Sequence, residues 1–137
     1  MQDLFCSFKI SFIQTWFDYR FMDIQTQAVA ESTSSFLNQL GSGFKASKMP
    51  LTEYVKSFDW ALIVTAGEND LQTMLRLYDY IYDILLIDTD GNILFTIAHK
   101  SDFATNLFTG PHSASLFAKT ARKTLTTGKT LFSDIEK

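Results

Sequence analysis

Apolar residues near the start of the chain recur at the spacing of an α-helix. One stripe consists of residues three or four positions apart: Cys6, Ile10, Ile13, Phe17, Phe21, Ile24 and Ala28. A second stripe runs beside it: Phe5, Phe8, Phe12, Trp16 and Tyr19. The pattern predicts one long helix, or two in sequence, over residues 3–40, ended by the glycines of Gly41-Ser42-Gly43.

Two apolar stripes on one helix predict that the helix packs against two different structural elements. A helix on the surface of a domain needs only one stripe. A helix of this length would span about 50 Å, which is long for the interior of a small domain. We therefore expect one stripe to pack on the chain's own domain and the other on a partner helix, which predicts a homodimer formed through the N-terminal helix. The alternative is a central helix that its own domain surrounds.

Two shorter helices are predicted between residues 50 and 80. Pro50 is typical of a helix start, and the Ala66-Gly67 pair of a helix end. The apolar face of the first of these helices is predicted to contain Leu51, Tyr54, Val55, Phe58 and Leu62. Asn69 or Asp70 is the predicted cap of the second. Its predicted apolar face contains Leu71, Met74, Leu75 and Tyr78.

Residues 82–98 have the pattern of a β-hairpin. Two short runs of aliphatic and aromatic residues, 84–87 and 93–97, flank "DTDGN". Gly91 in the predicted turn supplies the positive φ that hairpin turns require. A calcium loop would need a later glycine and a glutamate where His99 stands. An acid–base pair of Asp88 and Asp90 would need a partner base, and none lies nearby in the sequence.

The last forty residues predict a loop, a helix and a third strand. The loop covers residues 99–112, and Ser113 or Ser115 is expected to cap the helix that follows. The predicted apolar face of that helix contains Leu116, Phe117, Ala121 and Leu125. Gly128 is expected to end it, and residues 130–135 to begin a strand. This order of elements, three strands with long crossing helices, predicts the α+β class.

Length and composition indicate one globular domain. The chain has 137 residues, of which 46% are hydrophobic and 13 are Phe, which is enough apolar material for a core. The net charge is −3 and no basic block stands out, which argues against a nucleic-acid surface. Charged and polar residues interrupt the apolar stretch of residues 5–22, so no transmembrane helix is predicted. The final "LFSDIEK" has no cap or turn signal, and we expect the chain to be a fragment of a longer protein.

Residues able to support catalysis or metal binding are sparse. His99 and His112 are the only histidines and have no carboxylates at ligand spacing. Ser113 beside His112 lacks the surroundings of a nucleophile elbow. Neither a phosphate-binding nor a dinucleotide-binding motif is present. We therefore expect neither an enzyme nor a bound cofactor or metal.

The stretch "YDILLIDTDGNILFTIAHKSDFATNLFTGPHSASLFAKTARKTLTTGKTLFSDIEK", residues 82–137, resembles the extracytoplasmic sensor module of bacterial membrane receptors of the Cache type. The likeness rests on "LID" before the Asp-Gly turn, Asp102 followed by "TNL", the "TGP" turn and "FSD". Such modules occur in methyl-accepting chemotaxis proteins, sensor histidine kinases and cyclase receptors. The first eighty residues match only in their layout of one long helix followed by shorter ones.

The resemblance implies a PAS-like fold, in which an antiparallel sheet is flanked by a long N-terminal helix and shorter helices. Such a module would sense a small molecule on the periplasmic side of the inner membrane. Residues 1–46 would be the long helical segment and residues 47–137 a PAS-like body that lacks its final strands. The implied ligand is an organic acid, an amine or an amino acid. The membrane would be reached only through flanking segments. The alternative is a structural or dimerisation module without a ligand.

The implied ligand site lies between the sheet and the loop before the last helix. Tyr82 and Phe95 would form its apolar wall. Its hydrogen bonds would come from Asn106, Thr109 and His112, which suit a neutral or weakly anionic ligand. Asp102 is expected to fix the loop by accepting backbone N–H groups. The Arg and Trp that amino-acid-binding relatives carry in this loop are missing here.

Overall fold

A computed structural model describes residues 16, 18–20, 22–27, 30–131 and 133 of the chain. The chain divides into two compact units, Met1–Ala30 and Glu31–Lys137. In the first unit, residues 18–20 and 22–27 are helical and Ala30 is not. Trp16, Tyr19 and Ile24 are exposed members of the two predicted stripes. The other members lie outside the described residues.

The second unit contains five helices and two strands among the described residues. The helices are α1 Glu31–Ser47, α2 Leu51–Tyr54, α3 Phe58–Gly67, α4 Asn69–Leu77 and α5 Leu116–Thr127. The strands are β1 Leu85–Ile87 and β2 Ile93–Thr96, which pair antiparallel. The mixture of helices with an antiparallel sheet confirms the α+β class. No helix within the described residues is long and apolar enough to cross a membrane.

The predicted helix break at Gly41-Ser42-Gly43 is wrong, because α1 continues through these residues to Ser47. Gly43 is where Tyr54 approaches the helix: a Cβ on Gly43 would collide with the Tyr54 hydroxyl and lie 3.2 Å from Ile63 Cδ1. The glycine therefore serves close packing between α1 and α2 rather than chain termination. The energetic cost of a glycine in a helix, about 1 kcal/mol relative to alanine, is offset by this contact.

The region after Pro50 folds as two helices instead of the single one predicted. Pro50 precedes α2 as expected, but Ser57 starts a new helix by accepting a hydrogen bond from the Trp60 N–H at 3.2 Å. The predicted apolar face is wrong at Phe58 and Leu62, whose side chains are exposed. Trp60 and Val64 are buried in their place. Because α3 has apolar residues on all sides, its sequence periodicity could not select the buried face.

The helix boundaries later in the chain agree with the sequence at most positions. Ser115 accepts a hydrogen bond from the Ala118 N–H and starts α5, and Gly128 ends it with φ of 67°. The expected cap of α4 at Asn69 or Asp70 is wrong, since the helix starts at Asn69 after Glu68 and has no side-chain cap. Residues 130, 131 and 133 are not in a strand. The rest of the predicted third strand lies outside the described residues.

Strand β2 lies at the centre of this unit, with all four of its residues buried. Leu94 and Phe95 pack in a cluster with side chains of α1 and α3, whereas Ile93 packs with Leu107 and Ala118 in a second cluster. The Trp60 Nε1–H donates to the Leu94 carbonyl at 2.9 Å. At the open end of the hairpin, Asp83 Oδ1 accepts hydrogen bonds from three backbone N–H groups, those of Ile84, Ile97 and Ala98.

Tyr54 is expected to make the stability of the fold sensitive to alkaline pH. The side chain is fully buried and its hydroxyl donates to the Leu40 carbonyl at 2.9 Å. Burial, and then the Asp59 carboxylate, raise the pKa of Tyr54 above its ordinary value. The unfolded state loses this proton at a lower pH than the folded state, so the folded state loses stability as the pH rises above about 10.

Tyr54→Phe should lower the free energy of unfolding at neutral pH by about 1 kcal/mol through the lost hydrogen bond. It should also weaken the alkaline loss of stability. Urea titrations of both proteins at neutral pH and at pH values above about 10 measure the two effects. The other tyrosines are common to both proteins and cancel in the comparison. An equal alkaline loss in both proteins would contradict the role given to Tyr54.

Candidate functional site

The turn of the hairpin is built by the Asp88 side chain. Its Oδ1 accepts hydrogen bonds from the backbone N–H groups of Asp90 and Asn92 at 3.0 and 2.9 Å. Its Oδ2 accepts from Asn92 Nδ2 at 2.9 Å. Gly91 has φ of 91°, as the turn interpretation predicted. Both carboxylate oxygens of Asp88 thus serve the turn, and the described residues contain no group of three or more His, Cys, Asp or Glu able to hold a metal ion.

Asn106 attaches the loop after β2 to this turn. Its Nδ2 donates to the Asp90 carbonyl and to Asn92 Oδ1, both at 2.9 Å. Its Oδ1 accepts from the backbone N–H groups of Phe108 and Thr109. The backbone continues the attachment through a bridge between Asn92 and Asn106. These four side-chain bonds use both ends of the Asn106 amide to order the loop.

The other residues predicted for the site lie in different environments. Phe95 is fully buried and its ring packs edge-on against Phe36 at 5.2 Å. Tyr82 is 85% exposed, with Lys100 Nζ 4.7 Å above its ring. Thr109 is exposed and His112 is half-buried. The ring of Phe95 therefore belongs to the core, and that of Tyr82 to the surface.

Asp102 differs from the prediction in what its carboxylate does. Its Oδ1 is buried and has no hydrogen-bond partner. The loop is instead fixed by the backbone carbonyl of Asp102, which accepts from the Thr105 N–H at 3.1 Å and the Thr105 hydroxyl at 2.6 Å. Buried polar atoms in folded proteins are nearly always paired. No described residue donates a hydrogen bond to this buried carboxylate oxygen.

Three rings form an aromatic cluster beside the start of the loop: Trp60, His99 and Phe103. The His99 and Phe103 ring centroids are 4.8 Å apart, and those of Trp60 and Phe103 are 5.8 Å apart. Trp60 and Phe103 are not among the residues predicted for a site, because Trp60 comes from α3, far from the loop in sequence. Two non-glycine residues of the loop, His99 and Ala104, have positive φ values of 51° and 64°. Such backbone strain often accompanies functional sites.

A separate cleft lies between α1 and the junction of α3 with α4. Its volume is about 250 Å³, and both polar and apolar residues line it: Ser32, Ser35, Phe36, Gln39, Ala66, Gly67, Asn69 and Asp70. Gln39 Nε2 donates to Ser35 Oγ at 3.2 Å. Phe36 is buried so closely under Gly67 that a Cβ there would lie 2.5 Å from its ring. No residue predicted for the ligand site lines this cleft.

Searches of protein-family models, of curated proteins and of solved structures find no match to this chain.

Proposed function

We propose that this chain is the small-molecule-sensing module of a bacterial transmembrane receptor of the Cache type. The proposal combines the resemblance of residues 82–137 with the loop between β2 and α5. Asn106 ties that loop to the hairpin, and two of its residues have positive φ. The observation that carries the proposal is the buried Asp102 Oδ1, which has no partner. A loop that served only to close the fold would gain nothing from an unmet acceptor.

The unpartnered oxygen favours a ligand that carries N–H groups. An ammonium group would supply both a hydrogen-bond donor and the opposite charge. His99 and Phe103 lie on the same loop, and aromatic ring faces attract cations. These features favour amines over organic acids as ligands. From the sequence, Asn106, Thr109 and His112 predicted a neutral or weakly anionic ligand, so the proposed ligand class differs from the predicted one. The amide of Asn106 is already occupied within the fold.

In a receptor, ligand occupancy would be transmitted through the N-terminal helix, as the resemblance implies. The exposed Trp16, Tyr19 and Ile24 are compatible with a second copy of that helix as the partner. The module would then act as a homodimer on the periplasmic side of the inner membrane. Its output would be chemotaxis or two-component signalling.

A thermal-shift screen with the Asp102→Asn variant tests the proposed site. We expect amines to stabilise the parent chain, with about 2.7 kcal/mol at a ligand concentration of 100 times Kd. Asn keeps the shape of the side chain but removes its charge, so the shift should fall strongly in Asp102→Asn. The ligand-free melting temperature of each variant is its own reference. Amines, amino acids and organic acids are compared as separate sets.

Asp90→Asn is the matched control for this screen. It removes the same charge from an exposed position on the turn, and the ligand-induced shift should be retained. An equal shift in the parent chain and Asp102→Asn would exclude Asp102 from the site. If no compound changes the melting temperature of the parent chain, the sensing proposal is wrong.

The second candidate is a structural or dimerisation module without a ligand, and the packing of the loop favours it. Leu107 from the loop is fully buried together with Ile93 and Ala118. This part of the loop therefore fills the space against β2 with side chains. A chain that dimerises but gives no thermal shift with any compound set would support this function over sensing.

A further inference from the structure

Helix α5 and its flanks are positively charged, although the whole chain has a net charge of −3. Between Asp102 and Asp134 the sequence has no acidic residue and these basic ones: Lys119, Arg122, Lys123 and Lys129. The three lysines are exposed, and none makes an ion pair with a described residue. Within the described part of the chain no ion pair compensates the positive charge of this segment, which suits an anionic partner.

One side of α5 is buried and the opposite side carries the lysines. Ala118 is fully buried and Ala121 packs beside it, on the cluster of Ile93 and Leu107. On the other side, residues spaced one turn apart form an outer stripe: Leu116, Lys119, Lys123 and Thr127. The packing of the inner side fixes which face of α5 points outward.

The outer stripe offers ammonium groups and hydrocarbon but few other hydrogen-bond donors. The hydroxyls of Thr120, Thr126 and Thr127 each donate to a backbone carbonyl one turn earlier, at 2.8, 2.9 and 2.8 Å. The Arg122 guanidinium donates to the Phe108 and Ser113 carbonyls and lies 5.0 Å over the Phe108 ring. Arg122 therefore holds the loop, and the free positive charges are lysines.

We propose that the outer face of α5 docks on an anionic phospholipid surface. Lysine ammonium groups bind lipid phosphates as point charges, and their hydrocarbon stems lie along the apolar boundary. Leu116 is exposed on the same stripe and provides apolar contact with the outer part of the acyl layer. Recognition of a nucleic acid or an acidic peptide would favour free arginine, with its fixed fork of donors. The proposal does not depend on the receptor function given above.

Co-sedimentation of the chain with vesicles tests this proposal. We expect binding to vesicles of equal parts phosphatidylcholine and phosphatidylglycerol and little binding to phosphatidylcholine alone. Each lysine near an anionic surface strengthens binding about fivefold. Lys119→Glu/Lys123→Glu should therefore reduce partitioning by at least about 25-fold. Added salt should weaken the binding of the parent chain, because it screens exposed charges.

The matched control is Lys45→Glu/Lys56→Glu, which changes the net charge equally at exposed positions outside α5. It should retain most of the binding, and circular dichroism of each variant reports its fold. Equal binding by the two double variants, equal binding to neutral vesicles, or no binding at all would overturn the proposal. Full competition by soluble polyglutamate with no preference for vesicles would assign the face to an acidic protein instead.

Discussion

Replacing Asn106 with alanine is expected to lower the free energy of unfolding by about 3 kcal/mol. The change removes the bonds to the Asp90 carbonyl and to Asn92 Oδ1, and those from the Phe108 and Thr109 N–H groups. Each of the four contributes about 1 kcal/mol, and water replaces part of the loss because the groups are only partly buried. Urea denaturation followed by circular dichroism measures the change.

Asn69→Ala is the matched control, because Asn69 is exposed and far from the loop in sequence. Its effect should stay within about 0.5 kcal/mol. A similarly small effect at Asn106 would contradict its structural role. It would instead favour the predicted role of its amide in ligand binding. The comparison therefore separates a residue that orders the loop from one that recognises a ligand.

Gly91→Ala is expected to destabilise the fold by a similar amount, about 3 kcal/mol. The positive φ of 91° costs a residue with a Cβ about 1–2 kcal/mol. The added Cβ would also lie 2.6 Å from Phe108 Cδ2 and 3.0 Å from Asn106 Oδ1, so both neighbours must move. That displacement disturbs the amide that holds the loop. Chemical denaturation of the variant measures the combined cost.

Gly128→Ala separates the backbone cost from the steric one. Gly128 has φ of 67° at the end of α5, but a Cβ there would meet nothing within 4 Å. Its substitution should cost only about 1 kcal/mol. Equal losses at Gly91 and Gly128 would contradict the close contact between the turn and Phe108.

The features that the sequence predicted correctly depend on interactions between residues close together in the chain. An Asp-Gly pair between apolar runs predicted the hairpin, and the observed turn is closed by Asp88 through bonds within four residues. Ser115 caps α5 through a bond to a residue three positions later. Such interactions depend on local spacing and backbone preference, so a short stretch of sequence contains the necessary information.

The incorrect predictions concern positions where distant residues decide the outcome. The intrinsic preference of Gly43 disfavours helices and predicts a helix break at this position. Tyr54 packs against that position and overrides the preference. Likewise, Trp60 is buried under β2 through a bond to the Leu94 carbonyl, whereas Phe58 remains exposed. Apolar residues on all sides of α3 left its orientation undetermined by sequence.

The sequence by itself determined the hairpin and the end of α5, limited the cap of α5 to Ser113 or Ser115, and marked the loop before it as the place of interest. The tertiary structure alone decided what the loop's side chains do. It joined the Asn106 amide to the turn, buried Phe95 against Phe36, and left Asp102 Oδ1 without a donor. The physical reason is the sequence separation between the interacting residues. The hydrogen bonds of turns and helix caps form between residues a few positions apart, whereas burial and the pairing of a buried polar atom depend on segments far apart in the chain.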